Sequence, residues 1–312
     1  MLSRAASNLF WLGRYMERAD FVVRLLDATL RLAALPSSHD DAAEVWTSAL
    51  KAAGADGWKT ADGELDEDAT LQHMALAGDN PSSIRSCLER ARANARAVRT
   101  ALTIDAWEAI NAAYHDVQKL RDQPATRASA GAILDMVKRS LHALDGALHR
   151  SMLRSDSLWF IRLGAAIERA DNTARILEVK YHLLLPSDER VGGGLDHFQW
   201  ATILRTVSAL TAYRWIYRQS VKPWLVADLL IMQRQAPRSL IASYGDAVRH
   251  LDLLAAESGR RGPADRIGHA TLDWLESSKT ERIFADGLHE FLQRFLAENH
   301  RLGRAVAEQY LF

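Results

Sequence analysis

Residues 12–27, LGRYMERADFVVRLLD, return 151 positions later as LGAAIERADNTARILE at 163–178. The two stretches share Leu-Gly, Glu-Arg-Ala-Asp, and an Arg followed by two aliphatics and an acid. Three shorter matches follow in the same order. Leu35-Pro36-Ser37 answers Leu185-Pro186-Ser187, Trp46 and Leu50 answer Trp200 and Leu204, and Pro81-Ser82-Ser83-Ile84 answers Pro237-Arg238-Ser239-Leu240. A sequence self-similar at one long period folds as copies of one unit that bury a shared core. The expectation is two halves, 1–150 and 151–312, joined through Ser151–Ser157 without a flexible linker and fused into one compact unit.

The repeated unit reads as helical. Gly 17 and Pro 7 in 312 residues supply too few turn signals for a β-rich chain of this size. The prolines fall between stretches rich in Ala, Leu, Arg and Glu, where helix propensity is highest. Proline inside a helix costs ~3 kcal/mol, so each proline marks an end or a first turn. The fold class expected is all-α, a pseudo-symmetric helical bundle of two tandem five-helix repeats. The helices are placed at 3–34, 42–53, 82–102, 104–121 and 128–153, then 157–185, 196–219, 223–233, 238–257 and 270–310, the last broken near 277–279. Segments 54–80 and 258–268 read as loops.

Within each unit the first helix carries a charged stripe. At ~3.6 residues per turn, Gly13, Glu17, Asp20 and Arg24 share one narrow face, and Gly164, Glu168, Asp171 and Arg175 repeat it. Phe10, Phe21 and Leu25 border the first stripe and Ile161 and Ile176 the second, so both are expected to be partly buried. A glycine one turn ahead of the glutamate permits close approach of a second backbone or a ligand. Two readings stay open. In one, Asp20–Arg24 and Asp171–Arg175 are i, i+4 pairs, and Glu–Arg bonds join the halves. In the other, Glu17 and Glu168 converge as a carboxylate pair that shares a proton or holds a cation or an amine. Arg14, Arg18 and Arg169 stand beside the stripes as carboxylate-binding forks.

Further candidates lie outside the stripes. Arg85, Arg92, Arg96 and Arg99 share a face of the 82–102 helix. Tyr213, Arg214, Tyr217 and Arg218 alternate near Trp215 and Trp224, as core-edge packing with cation–π contacts or as a peptide or partner groove. Arg238, after Pro237, is placed in a first helical turn, where amide N–H groups favour anions. No HExxH, GxSxG, P-loop or Glu-x-x-His occurs, so no metal or cofactor is expected. Lys+Arg 39 balances Asp+Glu 39, which disfavours nucleic-acid and anionic-membrane binding. The first residues contain no long apolar run and Cys87 is the one cysteine, so a cytoplasmic protein is expected. Cys87 reads as a packed thiol, although Arg85 and Arg90 nearby could activate it.

The opening LSRAASNLFWLGRYMERAD, the stretch LTAYRWIYRQSVKPWLVADLLIMQRQAPRSL at 210–240, and ERARANARAVRTALTIDAWEAIN at 89–111 resemble the bacterial alpha-E family over nearly the whole chain, with Asp105 where a glutamate is usual. The resemblance implies an all-helical protein whose genes travel with ATP-grasp amide ligases, transglutaminase-like proteins and a proteasome-related peptidase. It implies an accessory or scaffold protein in peptide or amide-bond formation that binds the ligase or its peptide substrate. The alternative is an amide- or amine-acting enzyme with Glu17 and Glu168 as general acid and base.

Overall fold

The computed structural model describes residues 3–34, 39–60, 62, 63, 65–182 and 194–312. Among them are fourteen α-helices, one 3-10 turn at Arg99–Ala101, and no strand. The all-helical expectation holds. The count of ten helices does not.

Two long helices form the centre, α1 (Ser3–Ala33) and α7 (Asp156–His182). Proline is absent from both, and Leu, Ala, Arg and Glu dominate them, so nothing interrupts the backbone ladder. Each is buried on almost every side. Leu12, Met16, Ala19, Val22, Val23 and Leu26 of α1 and Leu163, Ala166, Ile167, Ala170, Ala174 and Leu177 of α7 fill the middle of the core.

The remaining helices wrap this pair in two similar sets. In the first are α2 (His39–Ala52), α3 (Glu67–Ala75), α4 (Ile84–Ala97), α5 (Ile104–Gln118) and α6 (Arg127–Ser151). In the second are α8 (Gly194–Thr206), α9 (Leu210–Tyr217), α10 (Pro223–Met232), α11 (Leu240–Ser258), α12 (Pro263–Ser277), α13 (Thr280–Asp286) and α14 (Leu288–Gln309). Helix α4 packs on α1 as α11 packs on α7; α5 packs on α4 as α12 on α11; and α6 returns to α1 as α14 returns to α7. The caps recur too. Ser83 starts α4, its Oγ accepting from the Ser86 N–H at 3.0 Å and donating to the Ala77 carbonyl at 2.7 Å. Ser239 starts α11 in the same way, with Ala242 N–H at 3.1 Å and the Gln233 carbonyl at 2.7 Å.

Three expectations fail for physical reasons. Helix α3 forms inside 54–80 because the Asp66 side chain accepts from the Ala69 N–H at 2.7 Å, while Leu71, Met74 and Ala75 enter the core. The 258–268 loop is cut short at Pro263, the first residue of α12. There the Gly262 N–H donates to Asp265, and the Ala264 N–H donates to Gln309 at the end of α14. The helix expected at 196–219 breaks at Ser208, whose φ is 57°, in the left-handed region. Arg24 donates to the Ser208 hydroxyl at 2.6 Å and reaches the Thr206 carbonyl, holding that break against α1. The break near 277–279 is present, and a second falls at Gly287 with φ 110°. The end of the helix expected to reach 185, and Pro36, Pro186 and their neighbours, lie outside the described residues.

Candidate functional site

Gly13 and Gly164 mark where α1 and α7 cross. A methyl group on Gly13 would stand 2.0 Å from the Ile161 carbonyl oxygen, and one on Gly164 would stand 2.1 Å from that of Phe10. Each glycine therefore admits the backbone of the opposite helix, and the charged stripes one turn further on are brought side by side.

The stripes exchange partners. Arg18 of α1 donates to both carboxylate oxygens of Glu168 on α7, at 2.6 and 3.2 Å. Arg169 of α7 donates to both oxygens of Glu17 on α1, at 3.1 and 2.8 Å. These are charge-assisted, two-point arginine–carboxylate contacts, the strongest class of side-chain hydrogen bond. Both glutamates are buried, Glu168 to 2% exposure. Each has a second arginine, and here the halves differ. Arg238 donates to Glu17 at 2.7 Å and to Asp20 at 2.6 Å. Glu168 instead takes Arg14 from α1 at 2.6 Å. Ser82 stands at the sequence position matching Arg238.

The aspartates keep their helical partners. Asp20 accepts from Arg24 at 2.7 Å and Asp171 from Arg175 at 2.6 Å. Asp171 also faces His300 Nε2 at 3.1 Å and Asn299 at 3.5 Å, both from α14. Burial alone would raise the Glu17 carboxyl, but Arg169 and Arg238 outweigh it and hold it at about 2. Asp171 behaves alike: burial is outweighed by His300 and Arg175, and its carboxyl is driven well below the ordinary range. Burial would lower Arg18, but Glu168 more than compensates, and Glu17 raises Arg169 against its own burial. At neutral pH Glu17 and Asp171, with Arg18 and Arg169, are therefore fixed charges. A carboxylate held at about 2 carries almost no proton to give and accepts one only in strong acid.

The two glutamates do not open into a common chamber. Glu17 borders a cavity of about 120 Å³ with Leu141, His142, Asp145, Arg169 and Arg238. Glu168 borders another, of about 170 Å³, with Arg18, Ser82, Asp171, Asn172 and Arg175. Of the stripe residues singled out from the sequence, the glutamates are thus joined to the opposite helix through arginines, whereas Asp20–Arg24 and Asp171–Arg175 pair along their own helices and do not meet each other. Arg238 belongs to this seam, but not in a helical first turn. It precedes the cap Ser239 and reaches back to α1. The alignment of Pro237-Arg238 with Pro81-Ser82 was the signal that could have located it.

Residues 213–218 divide. Tyr213 is fully buried, its hydroxyl donating to the Ser220 carbonyl at 2.8 Å and accepting the Lys222 N–H at 3.0 Å. Tyr217 donates to Asp228. Both tyrosines tie the α9–α10 turn together, Tyr213 buried and Tyr217 half-buried. Arg214 and Arg218 are exposed, and Trp215 and Trp224 beside them are 77% and 50% exposed. The arginine face of α4 is largely engaged: Arg85 pairs with Glu89, and Arg92 binds Asn111 and lies 4.4 Å over the Tyr114 ring. Cys87 is buried in the core, and that burial pushes its thiol up to about 12, the packed reading. Asp145, which lines the Glu17 cavity, pairs with Arg162 at 2.6 Å. No described helix is long and apolar enough to cross a membrane.

The fold and seam define an all-helical bundle protein organised on two crossed, ion-paired helices. The family model Alpha-E, described as a predicted alpha-helical domain with a conserved ER motif, matches residues 1–311, and the chain belongs to that family. Glu17-Arg18 and Glu168-Arg169 are the Glu-Arg dipeptides that exchange partners across the seam. The chain is 28% identical to uncharacterized proteins of Mycobacterium bovis and Mycobacterium tuberculosis, over 98% of its own length and 36% of theirs. It thus spans little more than a third of those relatives. No solved structure matches it.

Proposed function

We propose that this chain is a non-catalytic helical scaffold that binds an ATP-grasp amide ligase or its peptide substrate, and that it descends from a duplicated five-helix unit. One observation carries the first part. Both glutamates that a catalytic reading requires are saturated by arginines of the opposite helix, and each borders its own cavity. Such a network specifies how two helices meet, and its contribution to net stability is small beside that geometric role. The duplication is supported by the recurring helix pairings and by the matching caps at Ser83 and Ser239.

The docking surface we assign is the α9–α10 turn. Trp215, Ile216 and Trp224 are exposed there within one short stretch of chain, together with Arg214 and Arg218 and beside the half-buried Lys222. Exposed tryptophan beside arginine is the composition of interface anchors, which lose ~2 kcal/mol or more of binding on truncation. We assign the protein to the cytoplasm, in keeping with the single, buried cysteine.

The test is co-purification with an ATP-grasp amide ligase of the kind the family resemblance implies. Trp215→Ala with Trp224→Ala should abolish the complex, and Glu17→Gln and Glu168→Gln should leave both complex and ligation intact. A ligation assay that loses turnover with the glutamine variants, while melting and complex formation persist, would establish an enzyme instead.

A further inference from the structure

The two ends of the seam differ in what their outer arginine still has to give. Arg24 uses Nε on Asp20 and Nη1 on Ser208 Oγ and the Thr206 carbonyl, and it is sealed in the core. Arg175, its counterpart, uses Nε on Asp171 and makes no other hydrogen bond to the described residues. Its side chain is 30% exposed, and it lines two cavities at once. The inner one, about 170 Å³, is the chamber beside Glu168. The outer one, about 530 Å³, is a cleft between α2, α7 and α14 with Ser48, Leu296 and His300 in its wall.

The chamber wall holds a second unspent donor, closed off from the open space as its side chain stands. Asn172 is 6% exposed, borders the chamber, and its side-chain nitrogen has no partner. A buried donor left unmade costs ~1–3 kcal/mol, so turning the Asn172 amide toward an acceptor in the chamber would relieve that cost. Ser82, standing where the other half has Arg238, leaves this space open and adds a hydroxyl to its wall. We propose that this end of the seam binds a carboxylate-bearing small molecule. The carboxylate enters the inner chamber against Arg175 and Asn172, and the body of the ligand lies in the outer cleft. A planar, singly charged carboxylate suits an arginine fork. Any anion there faces Glu168 and Asp171 across the same chamber, and a doubly charged phosphoryl group is repelled more than a singly charged carboxylate. The site does not depend on the ligase partnership and is measured on the isolated full chain.

Calorimetric titration with tri-alanine, glutarate, tri-alanine amide and inorganic phosphate tests it. At least one of the two carboxylates should bind in the millimolar range or tighter, and the amide on the order of tenfold or more weaker than tri-alanine if the peptide binds. Arg175→Gln should lose binding on the order of tenfold or more. Asn172→Leu should weaken binding several-fold while leaving the melting temperature unchanged or higher, since it removes an unsatisfied donor. That variant separates recognition from folding. Leu153→Ala, on an exposed position, should bind as the parent does. Absence of binding by both carboxylates overturns the proposal. So does binding that ignores both substitutions, or tighter binding of phosphate than of either carboxylate.

Discussion

Around Glu17 the seam is closed by a second arginine brought from far along the chain; around Glu168 that position is a serine, and the extra guanidinium comes from α1 itself. Both ends neutralise a buried glutamate with two arginines, so the charge requirement is met twice by different routes. What differs is the packing around them. Arg238 and Ser208 leave the first end a cavity of about 120 Å³, whereas the second keeps one of about 170 Å³, a half-buried Arg175 and an unsatisfied Asn172. Two arginines per glutamate in unequal packing separate what joins the helices from what leaves room beside them.

The largest expected effect comes from removing the closing arginine. Arg238→Ala leaves Glu17 and Asp20 each short of a buried donor and should cost ~3–5 kcal/mol, read by denaturant unfolding. Arg14→Ala at the opposite end should cost a comparable amount. Ser82→Arg in that background should restore part of it, because it rebuilds the first end's solution at the second. No rescue would mean the two ends are not equivalent.

Acid should act next. The Glu17 carboxyl is lowered from its ordinary 4.5 to about 2, so its stabilisation is complete above the ordinary carboxylate range and is lost as pH falls from 4.5 toward 2. Its contribution is on the order of 3 kcal/mol by linkage, and Asp171 adds a loss of the same sign. Thermal melts should fall steeply through that window, and Glu17→Gln should flatten the slope. An unchanged slope would show that other carboxylates govern it.

Smaller effects test the crossing and its outer edge. Gly13→Ala and Gly164→Ala each force a methyl against a carbonyl oxygen, and each should cost ~1–3 kcal/mol by overpacking. The two values should be alike, because the contacts are reciprocal. Ser208→Ala removes one charge-assisted bond from Arg24 and should cost ~1–2 kcal/mol, with no matching residue to test at Arg175.

Much of this was legible in the chain. The Gly-x-x-x-Glu-Arg-x-Asp-x-x-x-Arg pattern, found twice and bordered by large apolar residues, is enough to place both stripes in one seam. Helix identity followed from composition because strong formers fill the long elements. What was hidden depends on tertiary partners. Helix α3 forms in a segment rich in Gly and Asp because three of its residues reach the core, and the break at Ser208 is held by an arginine 184 positions away. The asymmetry between Arg238 and Ser82 was visible in the alignment of the halves. Its meaning needed the chamber that the shorter residue leaves.

The paired glycines also restrict how the central helices can move. Slide either helix by one residue and a leucine or an arginine, Leu12 or Arg14 on one side and Leu163 on the other, would be thrust at a carbonyl with no room for it. The joint therefore behaves as a keyed shaft, not a bearing: motion in this molecule has to be sought at its periphery, and any signal passing from one flank to the other must do so without the axle turning.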